Sequence, residues 1–300
     1  MNHSENNKKE KDWRYYIRQY LRNLRQHHSI HQIWINTILL KANLTHHSTK
    51  RRHRIVDGIV LYYRICDAGY QKVKPNYITK ENCLANAVTV FPLDKVEWHV
   101  LADNICEETY LMILKYVPQE QVERVSIGNG AGTFQRVLEA ATKLPSSKLV
   151  YFLEDDYVHI PNSLQYLIEA GNKNLTDYFT LYDHPDKYDT NDNNTNPFSN
   201  DGGENTKVFW SGTHHWKLTN STTMTFAAFA DILRRDKKFF LRWTNGHHPY
   251  DYELFNDLRI SRGALISSPI PSLSSHGETH FLAPGINWEY ILNQQKKEST

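Results

Sequence analysis

The chain has few cysteines and no apolar run long enough to cross a bilayer. Its 300 residues include three cysteines, Cys66, Cys83 and Cys106, odd in number, far apart and without a C-x-x-C pair. That pattern argues against a disulfide framework and against a cysteine-built zinc site, and predicts reduced, buried thiols. No stretch approaches the roughly 18 to 20 apolar residues of a membrane span, and MNHSENNKKE has no apolar signal-peptide core. A cytoplasmic protein is expected. There is no H-E-x-x-H among the 16 histidines, so a zinc peptidase is not indicated. No internal repeat is visible.

What is present is an uneven charge distribution around a net +2. Residues 1–54 hold 12 of the 35 Lys and Arg but only 3 of the 33 Asp and Glu, so a basic extension precedes an acidic body. In the extension Asp12 is placed to cap a helix whose apolar stripe is Trp13, Tyr16, Ile17, Tyr20, Leu21 and Leu24, with Arg14, Arg18, Arg22 and Arg25 on another side. Such a helix suits peripheral contact with an anionic membrane, or packing on its own body or a sister subunit. STKRRHR, 48–54, reads as the linker, and no nucleic-acid partner is expected.

From residue 55 to the C-terminus the chain reads as one domain of alternating strands and helices, a Rossmann-type, mainly parallel sheet flanked by helices. Predicted strands are IVDGIVLYYRI, VEWHVLADN, VERVSIGN and LVYFL. Predicted helices are TKENCLANAVTVF, capped by Thr79, then CEETYLMILKYV and TFQRVLEAATKL. Beyond Pro161 come a helix, the strand DYFTLYD, and a polar run over 186–205 that is either a disordered excursion or a lid. KVFWSG, helices over FAAFADILRRD and PYDYELFNDLRI, and a strand ALISSP follow.

The fourth strand runs straight into Glu154, Asp155 and Asp156. Adjacent anions repel and lose hydration, so a cation must neutralise them, and a hard divalent metal is the obvious one. Alternation along an extended chain puts Glu154 and Asp156 on one side and Asp155 on the other. The carboxyl end of a strand in an open α/β sheet is also where ligands bind. Gly128-Asn129-Gly130-Ala131-Gly132 lacks the spacing of a dinucleotide loop but exposes backbone N–H groups near a helix start. Asp251 and Glu253 begin a helix, where a carboxylate serves the dipole or takes a proton from a hydroxyl. His276 follows the last strand and is able to join carboxylates around a divalent ion.

These stretches together resemble GT-A-fold glycosyltransferases of the family 2 type. Asn129 to Gly132 and its helix, leading to the strand that ends Glu154-Asp155-Asp156, are similar to the turn, helix and D-x-D strand of that fold, with Glu154 in place of the first aspartate. The resemblance implies Mn²⁺ or Mg²⁺ on Asp156 with Glu154 and His276, and a nucleotide-sugar donor against Arg64, Asp67, Lys72, Asp103, Asn129, Glu154 and Asp155. It places Lys74 near the diphosphate as well. It also implies a glycan or lipid-linked glycan acceptor at the loop of Trp210 and Gly212, and a general base at Asp251 or Glu253, of which Asp251 aligns with the catalytic aspartate. Two rivals stand beside this reading: a sugar-nucleotide nucleotidyltransferase and a carbohydrate-binding module that stacks sugars on its aromatics.

Overall fold

The computed structural model describes residues 53–68, 72–188, 199–200, 203–204 and 206–298. The predicted basic helix, its membrane or subunit contact, and most of the linker lie outside the described residues. Three βα units come first: strand β1 (Ile59–Cys66) and helix α1 (Lys80–Val90), β2 (Val96–Asp103) and α2 (Glu107–Leu114), β3 (Val122–Val125) and α3 (Gly130–Ala141). Strand β4 (Leu149–Glu154) follows. Then come β5 (Tyr157–His159), α4 (Ser163–Lys173), β6 (Tyr178–Phe179), a small hairpin of β7 (Ser199–Asn200) and β8 (Gly203–Glu204), β9 (Val208–Trp210) and β10 (His215–Thr219). The chain closes with β11 (Phe226–Phe229), α5 (Ala230–Trp243), α6 (Asp251–Arg262), β12 (Ile266–Ile270), β13 (Ser274–His276) and α7 (Trp288–Glu298).

The main sheet has nine strands in the order β3-β2-β1-β4-β11-β6-β12-β10-β9. Its first half is the predicted parallel sheet: β1 pairs in parallel with β2 and with β4, so Cys66 lies opposite Asp103 and Arg64 opposite Glu154. IVLYYRIC can be an almost unbroken apolar run because helices cover both faces, and its first seven residues are buried. The second half mixes directions, with β11 antiparallel to β4 and β6, and β12 parallel to β6. Thr79 caps α1 as expected, accepting from the Asn82 N–H at 3.1 Å.

Two predicted boundaries moved for physical reasons. Helix α3 begins three residues before TFQRVL, because the Asn129 side chain accepts the Gly132 N–H at 2.7 Å and starts the first turn there. FAAF, predicted as helix, is strand β11. All four residues are buried, and pairing with β4 on one side and β6 on the other outweighs their helical preference. Of the three free thiols only Cys83 is buried; Cys66 is half-buried and Cys106 exposed.

An aromatic cluster fixes the later helices over the sheet. Phe226 lies 5.3 Å from Phe152 and from Phe255 and 5.8 Å from Phe240, while Phe134 lies 5.1 Å from Phe152. These rings come from α3, β4, β11, α5 and α6, so one packed core sets where the start of α6 meets the end of β4. Among the described residues no helix is long and apolar enough to cross a membrane.

Candidate active site

The three acids that follow the fourth strand point to three different environments. Strand β4 ends at Glu154, and Asp155 and Asp156 form a turn before β5, so the expected sharing of one side by Glu154 and Asp156 does not occur. Glu154 turns to Arg64, whose Nη2 is 3.0 Å from its Oε1, and receives the Thr225 hydroxyl at 3.3 Å. Asp155 accepts the Cys66 N–H at 3.3 Å, and burial, then the charge of Asp156, pushes its carboxyl up to about 6. Asp156 is only 3% exposed. Burial opposes its charge, yet hydrogen bonding and charge from His276, with Lys72 and Lys74, hold its carboxyl well below the usual range.

Asp156 sits among cations. Its Oδ2 is 2.9 Å from Lys72 Nζ, 3.1 Å from Lys74 Nζ and 3.4 Å from His276 Nε2, and Lys72 Nζ lies 3.1 Å from His276 Nε2. Strand β13 brings the histidine: His276 pairs with Tyr157 across the β5–β13 ladder, and the Gly277 N–H reaches the Asp156 carbonyl at 2.7 Å. A Cβ on Gly277 would stand 2.5 Å from Ile78 Cγ2 and 2.7 Å from that carbonyl, so only glycine lets the strand approach this closely.

The metal set expected from the sequence does not fit this arrangement. Asp156 and His276 are together, but Glu154 is held by Arg64 instead of joining them, and among the described residues no group of three His, Cys, Asp or Glu is placed to hold an ion. Two ammonium groups already crowd the same carboxylate oxygen. A dication about 4 Å from one of them is repelled by roughly 8 kcal/mol at an effective dielectric of 20. The unpartnered Asp156 Oδ1 is the one feature in favour of an added ligand.

Asp251 opens α6, with its Oδ1 accepting the Tyr252 N–H at 2.7 Å. Burial first, and then the charges of Glu154 and Glu253, push its carboxyl up to about 7, opposed by that N–H and by Lys187. Arg64 ties the end of β4 to the start of α3, meeting Glu154 and donating to the Gly130 carbonyl at 3.2 Å and the Thr133 hydroxyl at 3.4 Å. The Ala131 N–H in turn donates to the His247 carbonyl at 3.3 Å, just ahead of α6.

The remaining predicted donor contacts are engaged within the protein. Asp103 accepts the Ile127 N–H at 2.6 Å and the Gly128 N–H at 2.9 Å, a fold-back that needs Gly128 at φ +80°. Asp67 pairs with Lys80 and accepts the Cys106 N–H at 2.7 Å and the Thr109 hydroxyl at 3.0 Å. Burial works against the Asp67 anion, but these bonds bring its carboxyl down to about 2. Asn129 is the cap of α3. Trp210 and Gly212 are not brought to the acids. Four strands separate β9 from β4, about 24 Å at the usual strand spacing, and the Gly212 turn is fastened to Glu169 of α4 by the Thr213 N–H at 2.8 Å.

Sequence reasoning missed Thr225 and Lys187. Lys187 is the second residue of the polar run read as an excursion or lid, yet it is buried, donating to Asn220 Oδ1 at 2.8 Å and Ser221 Oγ at 3.1 Å. Both reach the site through strand order, which no local spacing encodes.

No protein-family model and no curated protein matches the chain. Among solved structures it is similar to the galactosyltransferase LgtC in complex with donor and acceptor sugar analogs, with 11% identity and a TM-score of 0.38 over 66% of this chain and 69% of that one. It is also similar to residues 1–349 of S. aureus TarS, with 14% identity and a TM-score of 0.41 over 75% and 59% of the two chains. A third is the 4-diphosphocytidyl-2C-methyl-D-erythritol synthase from Anaerococcus prevotii, with 11% identity and a TM-score of 0.41 over 81% and 96%.

Proposed function

We propose that this protein is a glycosyltransferase that moves a sugar from a nucleotide-diphosphate sugar to a hydroxyl of a glycan acceptor, with Asp251 as general base. The observation that carries the reading is Asp251 itself. It is a helix-start carboxylate at the carboxyl end of the parallel strands, and its affinity for a proton is raised into the neutral range by burial and by Glu154. A base is most effective when its pKa lies near the working pH. Asp251 takes the acceptor hydroxyl proton as the oxygen attacks the anomeric carbon. The bond from that carbon to the diphosphate oxygen breaks, its electron pair leaves with the nucleoside diphosphate, and configuration inverts. Arg64 holds Glu154 and the first turn of α3 in register while this happens. A metal does not enter the mechanism, given the lysines around Asp156.

The test pairs turnover with donor binding. Asp251→Asn should lower transfer by about 10²- to 10⁴-fold while donor affinity stays within a few-fold, and Glu253→Gln should be much milder. The product's anomeric configuration should be opposite to the donor's. Pyrophosphate released from a nucleoside triphosphate would identify a nucleotidyltransferase instead, and sugar binding without any turnover a binding module.

A further inference from the structure

We infer that Lys72 and Lys74 stand in for the divalent cation of an acid-ended α/β site, so that the site at Asp156 binds a diphosphate without metal. The inference rests on reading these residues as the site of a nucleotide-diphosphate sugar. Two ammonium groups lie within 3.1 Å of one carboxylate oxygen, so even with His276 neutral the local charge of these four side chains is positive. The Lys72 and Lys74 side chains are 20% and 28% exposed and that of Asp156 3%, so the lysines lie between the carboxylate and solvent. Asp156 Oδ1 has no hydrogen-bond partner among the described residues, an unmet acceptor directly beneath the two ammonium groups.

The lysines are pre-positioned. They flank Val73, which is 69% exposed, so the two cationic side chains face inward and the residue between them faces out. The Val73 carbonyl accepts both the N–H of Thr279, at 2.9 Å, and its hydroxyl, at 3.0 Å, which binds this segment to the turn that follows β13. The elements that bring His276 to Asp156 therefore also hold the lysines.

The experiment uses the full chain and two probes, Mn²⁺ followed by electron paramagnetic resonance and inorganic pyrophosphate followed by calorimetry. Wild type should show no Mn²⁺ site tighter than about 1 mM. It should bind pyrophosphate equally, within about twofold, in EDTA and without it. Lys72→Ala/Lys74→Ala should weaken pyrophosphate by about tenfold or more, because each lysine makes a charge-assisted contact. Lys72→Arg, which keeps the charge, should retain it within a few-fold and serves if the double variant fails to fold. Stoichiometric Mn²⁺ binding by wild type that Asp156→Asn abolishes would overturn the inference. So would pyrophosphate binding that needs Mn²⁺, that is absent altogether, or that ignores the loss of lysine charge. Metal-free, lysine-dependent pyrophosphate binding with no turnover of any nucleotide sugar would uphold the cation assignment and remove the transferase reading.

Discussion

Asp251 is the residue whose two jobs conflict. Its folded-state carboxyl is raised from 3.8 to about 7, so between those values the folded chain binds more protons than the unfolded one. Its contribution to stability is therefore fully present below pH 3.8 and is lost as pH rises through about 7. Activity runs the other way, because the base acts only when ionised. Thermal melts from pH 5 to 8 should show wild type losing more stability than Asp251→Asn, and the wild-type rate should rise through about pH 7 to a plateau. Asp155, raised to about 6, tilts both proteins in the same direction, so the difference between them isolates Asp251. A rate that is flat across this range would remove Asp251 from the proton transfer.

Among the elements, α5 and α6 are tied to the sheet by a buried carboxylate. Asp236 is fully buried and accepts the Tyr178 hydroxyl of β6 at 2.7 Å, Arg235 Nε at 2.8 Å and Arg262 Nε, from the end of α6, at 3.2 Å. Asp236→Ala should destabilise the fold by about 3 to 5 kcal/mol, since it leaves two guanidinium groups and a buried phenol without their common acceptor. Urea denaturation measures this, and a loss below about 1 kcal/mol would mean the cluster relaxes without it. At this scale the sequence was partly legible. The helical period of PYDYELFNDLRI and the cap Thr79 are local, and the helices formed around them. FAAF was not, because nothing within four apolar residues distinguishes a helix start from a strand with an open edge on each side.

At the scale of the whole molecule, helix α7 closes on α1. Trp288 and Leu292 of α7 are buried, the Trp288 indole donates to the Ala283 carbonyl at 2.8 Å, and Gln295 accepts from Asn86 of α1 at 2.8 Å. The same Asn86 exchanges hydrogen bonds of 2.7 and 2.9 Å with the His159 backbone of β5, two residues beyond Tyr157, which pairs with His276. Trp288→Ala should cost about 3 to 5 kcal/mol from the cavity and lost burial. At about 2 to 4 °C per kcal/mol for a domain of this size, the melting temperature should fall by roughly 10 °C in calorimetry. A much smaller fall would mean α7 is an appendage to the core.

The sequence by itself determined the alternating α/β order, the strand that ends in acids and the helix start at Asp251. Each is written in a few neighbouring residues, through apolar period, capping chemistry or a strand's terminus. Only the tertiary structure decided which charge meets which. Glu154 and Asp156 part because the strand stops between them, so the pleat that would have aligned their side chains is gone. Arg64 claims the first through parallel register, and Lys72 and Lys74 claim the second from the segment after β1, 84 and 82 positions earlier in the chain. Coulomb attraction acts through space and ignores separation along the chain, so the partner of a carboxylate is settled only when the sheet order has brought its neighbours within a few ångströms.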